Sequence, residues 1–472
     1  MGRYKYLIKN MGLLTLSNFA TKLLSFFLVP LYTSVLSTSE YGTYDLFNTT
    51  ISLLVPLLTV DIQEAVLRFS MDDNADQDKI WYVGCRYSII SFIIVFAGLL
   101  VNRIAGISPI LQQYEVEFFL LYALTAFTGV ILYFSRGTGR IADLSVAGVI
   151  SSVVMISCNI FFLLVLKIGL YGYFLASILG SAAQCIYLLV RAKIWRNFGS
   201  HKDDVELRKE MTGYSKPMIA NAISWWVNNA SDRYIVTWLC GIAVNGIYSV
   251  SYKIPSIMSI LQGIFSQAWT LSATKEFDAE DKDGFFINIY NIYNFLLVII
   301  CSGLTFLDKP IAKLLFAKDF YSAWKYAPFL MISTIFSGMA AFLGGILSAL
   351  KKSGLFAKSS VITAIVNTIL NVILVLSIGP LGAAISTAFA YFLMWAIRLN
   401  QMKKCINLRV NLVRDLAAYI ILVIQAMLLL TFQSDNIFCW YQLAFVLIIL
   451  LLYIKEIKSI CMKLFKRNPK LS

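Results

Sequence analysis

Long apolar runs recur along almost the whole chain, and a soluble fold has no place for them. Crossing hydrocarbon takes roughly 20 mostly apolar residues. Fourteen such segments can be drawn: 11–36, 43–66, 80–102, 116–136, 142–166, 169–190, 214–240, 246–272, 285–307, 326–350, 355–377, 381–398, 413–432 and 437–454. Apolar residues make up 59% of the 472, and Asp, Glu, Lys and Arg only 14%, against roughly 25% charged in soluble domains. A cytosolic enzyme, a disordered chain and a disulfide scaffold are excluded. The runs are continuous rather than alternating, which argues against an outer-membrane barrel. The expected fold class is an all-α polytopic membrane protein. The first run carries Asn18 and Lys22 and lacks a small-residue cleavage site, so it reads as a span and not a signal peptide. The eight Cys show no C-x-x-C or metal-ligand spacing, and the single histidine is His201, in a charged loop.

Charge orients the chain. Loops on the side of the termini hold 30 Lys and Arg, and loops on the other side hold 6. Cytoplasmic loops collect these residues, so both termini are expected in the cytoplasm. Four of the six outer charges fall in 308–325, a stretch that reads as an amphipathic helix on the outer interface. The longest loops, 191–213 and 308–325, are too short to fold as domains.

An internal repeat is visible. Val149-Ile150-Ser151 with Val154, Asn159 and Ile160 matches Val361-Ile362-Thr363 with Val366, Asn371 and Val372. Ile168-Gly169-x-x-Gly172 matches Ile378-Gly379-x-x-Gly382, and Tyr41-Gly42-x-Tyr44 matches Asn245-Gly246-x-Tyr248. The spacings of 212, 210 and 204 residues give two parallel six-span halves. The expected organisation is 1–195 for the first lobe, 196–213 for an inter-lobe loop, 214–400 for the second lobe, and 401–472 for two further spans and a basic tail. In transporters, sites lie near the midplane where repeats meet.

Polar stripes mark four spans. Thr15, Asn18, Lys22 and Ser25 share one helical face. Asn48, Ser52, Thr59 and Gln63 follow in the second span. The seventh carries Asn221, Ser224, Asn228 and Asp232, and the eighth Tyr248, Tyr252, Ser259, Gln262 and Ser266. Such stripes either bond helix to helix or line a water-filled cavity. Four cations lie inside spans: Lys22, Arg86, Arg233 and Lys253. Each costs at least about 2.5–3.5 kcal/mol at the bilayer centre, and a cavity holding them would take an anion such as a diphosphate. Asp232 with Lys253 could equally form an ion pair. Asp61 and Glu64 close the second span, either as a proton or sodium site or as interfacial residues. Pro30, Pro56 and Pro255 permit kinks.

Certain residues resemble a known family. Asn18-Phe-Ala-Thr-Lys22, Val29-Pro30-Leu31 and Glu40-Tyr41-Gly42-Thr43-Tyr44 are similar to the opening of the lipid-linked oligosaccharide flippases. The second half matches too, with Ser231-Asp232-Arg233-Tyr234-Ile235, Gly246-Ile247-Tyr248 and Tyr252-Lys253. These flippases are the polysaccharide-transporter branch of the superfamily of multidrug, oligosaccharidyl-lipid and polysaccharide exporters. The resemblance covers essentially the whole chain. It implies a V-shaped bundle with a central cationic cavity, and a substrate of undecaprenyl-diphosphate bearing an O-antigen or capsule repeat unit. That substrate would cross from the inner to the outer leaflet of a bacterial cytoplasmic membrane by alternating access. Substrate contacts carry over to Lys22, Arg86, Arg233 and Lys253. Asn18, Ser25, Asn48, Asn221, Asn228, Tyr252 and Gln262 become candidate lining residues, and Asp61, Glu64 and Asp232 candidate coupling acids. No cofactor and no nucleic acid is implied; sodium or protons could drive the cycle, and a membrane polysaccharide polymerase is a candidate partner. The alternative in the same superfamily is a cation-coupled multidrug antiporter, which would need an intramembrane carboxylate. A membrane glycosyltransferase is disfavoured, because the outer loops are short and Glu115, Glu117, Asp308 and Asp319 form no evident pair.

Overall fold

In a computed structural model of the chain, residues 26–72, 74–191, 204–275, 284–350, 353–402, 406, 408–431 and 435–458 are described. Most of them are helical, with no strand among them. The chain divides into two compact units, Met1–Arg233 and Tyr234–Ser472. In the first lie α1 (Val29–Val35), α2 (Thr38–Leu58), α3 (Ile62–Ser70), α4 (Gln77–Ala105), α5 (Pro109–Gln113), α6 (Glu115–Gly137), α7 (Ile141–Ile160), α8 (Gly169–Arg191) and most of α9 (Val205–Cys240). The second holds α10 (Ile242–Ser251), α11 (Lys253–Lys275), α12 (Phe285–Phe306), α13 (Asp308–Leu315), α14 (Ala327–Ala349), α15 (Ser353–Ile378), α16 (Pro380–Met402), α17 (Leu412–Thr431) and α18 (Asp435–Leu452). Among the described residues nine helices are long and apolar enough to cross a membrane, or ten if α2 and α3 count as one bent span. The protein is a multi-pass membrane protein.

Each proline expected to kink a span lies within a turn of a helix end. Pro30 opens α1, Pro56 sits in the last turn of α2 and Pro255 in the first turn of α11. A missing N–H is tolerated in the first turn, where no intrahelical partner exists. The eighth span is accordingly two helices, broken at Tyr252. The outer stretch 308–325 differs from the single amphipathic helix expected. α13 stops at Leu315, Phe316 turns extended, and Lys318 adopts a left-handed φ of 53° before a 3₁₀ helix, Lys318–Lys325. Phe316, Phe320 and Trp324 are each buried. Lys309 stacks 4.9 Å over Trp324.

The glycine repeat has one physical cause in both units. Gly169 (φ 55°) and Gly379 (φ 66°) turn the chain through the left-handed region between α7 and α8 and between α15 and α16. Three residues on, Gly172 and Gly382 let the returning helix approach closely. A Cβ on Gly172 would meet Phe162 Cβ at 2.7 Å, and one on Gly382 would collide with the Leu374 carbonyl. Asn159 and Asn371, also matched in the repeat, are both fully buried in these hairpins.

In the second unit two polar layers hold the last two helices. Gln425 accepts from Ser302 at 2.8 Å and donates to Gln442 at 2.8 Å. Below, Tyr419 donates to Asn294 (2.9 Å), Asn294 to Tyr453 (3.1 Å) and Tyr453 to Asp415 (3.2 Å). Arg414 joins this layer through Asp415, Glu456 and Asn291. Arg398, counted above among loop charges, is 3% exposed. It donates to Ser359 Oγ, Ser360 Oγ and the Ala340 carbonyl and lies 4.2 Å over Phe356. Three neutral acceptors and a ring face take the place of a carboxylate partner.

Gly172→Ala and Gly382→Ala should each destabilise by about 1–3 kcal/mol, the range for overpacking a tight core. Gly98→Ala, with nothing within 4 Å of the added atom, should not. Melting of the purified protein checks this, and equal behaviour of all three would remove the packing explanation.

Candidate functional site

The second span breaks where sequence chemistry weakens it. Pro56 cannot donate to Ser52 and leaves the last turn of α2 short of a hydrogen bond. Val60 (φ 58°) and Asp61 (φ 48°) then both adopt the left-handed conformation, at roughly 1–3 kcal/mol each for non-glycine residues. α3 leaves at 62° to α2. The Asp61 N–H donates to the Pro56 carbonyl and the Ile62 N–H to that of Thr59. The carbonyls of Leu57 and Leu58 therefore lose the i+4 amides that a continuous helix would supply.

The break opens onto a cavity of about 710 Å³ within the first unit. α2 and α3 contribute Ser52, Pro56, Asp61, Gln63 and Glu64; α6 contributes Thr125, Thr128 and Tyr133. Ser181 and Gln184 of α8 and Asn221 and Trp225 of α9 complete the polar wall. Gln63 Nε2 donates to Asp61 Oδ1 at 3.2 Å. Gly129 makes room for Gln63, since a Cβ there would lie 2.5 Å from Gln63 Oε1. No Lys, Arg or His lines the cavity among the described residues.

The remaining candidate residues fall elsewhere. Lys22, Asn18 and Ser25 lie outside the described residues. Arg86 is half-buried on α4 and is not among the residues lining the cavity. Arg233 forms an ion pair with Asp45 at 3.1 Å and donates to Thr49 Oγ1 at 3.3 Å. Asp232 is buried and accepts from the Arg233 N–H at 3.0 Å. Asn48 and Asn228 donate back to carbonyls of their own helices, Tyr44 and Ser224. In the second unit Lys253 and Tyr252 are half-buried at the α10–α11 break, with the Tyr252 and Tyr248 hydroxyls 3.3 Å apart. Gln262 bonds α11 to α14 through the Thr334 carbonyl. The Glu40–Tyr44 motif is architectural: Ser37 and Glu40 form a capping box for α2, and Tyr44 packs on Tyr173 with its hydroxyl 2.7 Å from Ser177.

Sequence reading found Asp61, Glu64, Ser52, Gln63 and Asn221 but missed Thr125, Thr128, Ser181, Gln184 and Asp45. Thr125 with Thr128, and Ser181 with Gln184, are spaced by three, so the stripe criterion applied to spans four and six would have flagged them. Outside the spans, Asp204 caps α9 by accepting from the Leu207 N–H and binds Lys79 at 3.1 Å. These contacts, the backbone bond foremost, hold its carboxyl below the usual range.

Removing one member of the Asp45–Arg233 pair should cost more than removing both. Asp45→Asn and Arg233→Met should each lower the melting temperature, and the double variant should recover part of the loss. A coupling of about 0.5–3 kcal/mol is expected for contacting groups; strict additivity would refute an energetic link.

A family model described as polysaccharide biosynthesis protein matches residues 7–270. The probable low-salt glycan biosynthesis flippase Agl15 of Haloferax volcanii is 24% identical over 251 residues, 50% of this chain and 53% of that protein. The chain thus spans about half the length of that relative. The uncharacterized membrane protein MJ1068 of Methanocaldococcus jannaschii is 20% identical over 85% of this chain and 84% of its own. Among solved structures, the lipid II flippase MurJ in an inward closed conformation aligns with a TM-score of 0.69 at 16% identity, covering 96% of this chain and 99% of that one. An inward-facing multidrug resistance MATE transporter aligns at 0.66 and 14% identity, over 82% and 95%. These structures share the fold. The family match covers more than half of the residues, and the chain belongs to the polysaccharide biosynthesis protein family.

Proposed function

We propose that the protein is a flippase, not an enzyme, and that it carries an undecaprenyl-diphosphate-linked oligosaccharide repeat unit from the inner to the outer leaflet of a bacterial cytoplasmic membrane. It works by alternating access, with both termini in the cytoplasm, and feeds a polysaccharide polymerase. The observation that carries this reading is family membership over 7–270, alongside similarity to a glycan biosynthesis flippase. The chain's build agrees: its helices are made for the bilayer, and its loops are too short for an extramembrane catalytic domain.

One observation favours the second reading, a cation-coupled multidrug antiporter. The cavity of the first unit carries Asp61 and Glu64 and no basic side chain among its described lining. A diphosphate meets no counter-charge among the described lining residues of this cavity. On the flippase reading Lys22 is the first candidate to supply one.

Native mass spectrometry of the protein purified in mild detergent, followed by identification of its lipids, tests the choice. A retained polyprenyl-diphosphate saccharide, lost in Lys22→Ala, is expected, together with loss of glycan export at unchanged membrane abundance. Normal export by Lys22→Ala would remove that residue's role. Absence of such a lipid, with drug-like cations raising thermal stability instead, would favour the antiporter.

A further inference from the structure

We propose that the segment 308–325 of the second unit is a proton-held clasp: it stays seated on α10 and α12 while the Asp308 carboxyl is neutral, and comes away when that carboxyl ionises. Asp308 is the first residue of α13. An acid at that position normally turns to the free N–H groups of the first turn, where the helix dipole favours its charge. Asp308 does not. Its side chain is completely buried, and neither carboxyl oxygen has a hydrogen-bond partner. The neighbouring cation, Lys309, reaches over the Trp324 ring at 4.9 Å. Burying an ionised carboxylate without a partner costs far more than burying a neutral polar group. Burial accordingly pushes the Asp308 carboxyl well above the usual carboxylate range, and the charge of Lys309 offsets only part of this.

The surroundings leave burial unopposed. α13 packs on α12 and on the 3₁₀ helix 318–325, which in turn packs on α10. α12 has no Asp, Glu, Lys, Arg or His, and its titratable groups are Tyr290, Tyr293 and Cys301; α10 adds Tyr248. Lys313 of α13 is exposed, as are Lys318, Asp319, Tyr321 and Lys325 of the 3₁₀ helix. Of all these groups Lys309 alone bears on Asp308. Leucine or asparagine would fill the same space at every pH; what an acid adds is a response to pH. The sign follows from proton linkage. A free Asp titrates near about 3.9. Above that pH the seated segment keeps a proton that the released segment gives up, so the released fraction grows about tenfold per pH unit until the seated carboxyl itself ionises. Release would free α10, the first half of the broken eighth span, which leads into Tyr252 and Lys253. In the orientation proposed above, the clasp reads the pH outside the cell. That direction rests on the flippase reading; the clasp is measured in detergent without transport, so either can fail alone.

The test follows hydrogen exchange by mass spectrometry in the full chain purified in detergent, from pH 5 to pH 7. Exchange of peptides within 308–325 is divided by that of α15 peptides, which cancels the chemical pH dependence of exchange itself. In the wild type this ratio should rise about tenfold for each pH unit, the slope for one proton. In Asp308→Asn and Asp308→Leu, which carry no charge at any pH, the ratio should stay flat. Asp319→Asn removes the exposed acid of the same segment and should keep the wild-type slope. A flat ratio in the wild type, a measurement that needs no variant to fold, would overturn the proposal. So would a slope that survives in either Asp308 variant, or one that vanishes in Asp319→Asn.

Discussion

Hydrocarbon offers no water to a peptide group, and everything else in this protein follows from that. Each unpaired N–H or C=O costs several kcal/mol there, so most of the described chain is helical. Departures must be shielded from lipid. The departure at Val60 and Asp61 meets this condition because it faces a polar cavity walled by α6, α8 and α9. A broken helix in a membrane protein therefore reports where water or ions reach, and here the break and the cavity coincide.

Polar side chains divide by the same rule. Some join helix to helix, as Ser302, Gln425 and Gln442 do across α12, α17 and α18. Each such bond is worth modest energy, about 0.6 kcal/mol on average, but it fixes register between otherwise featureless apolar faces. Others line the cavity. Cations follow suit: Arg233 has Asp45, and Arg398 has two hydroxyls, a carbonyl and an aromatic face. A charge inside a span is thus a weak pointer to ligand binding until its neighbours are known.

The helices, the paired glycine turns and the positions of the three prolines were legible in the sequence. So was the resemblance that the family match supports. Each rests on local pattern: apolar length sets a span, and a glycine recurring three residues after a turn glycine sets a tight hairpin. The 3₁₀ segment at 318–325 was not legible, because its burial depends on packing against α10, which is distant in the sequence.

Sequence alone determined that the chain lives in a membrane as two similar halves, since hydrophobic run length and close-approach glycines act through neighbours in the chain. Tertiary structure alone decided which polar residues share a space. Arg233 meets Asp45 across 188 positions, and Thr128 joins Asp61 and Glu64 from a different helix. No periodicity within one helix encodes such meetings, because they are fixed by how helices rotate and bend against one another. That is why Asp61 and Glu64 read more readily as interfacial acids in sequence, and why only the bend after Pro56 turns them into the wall of a cavity.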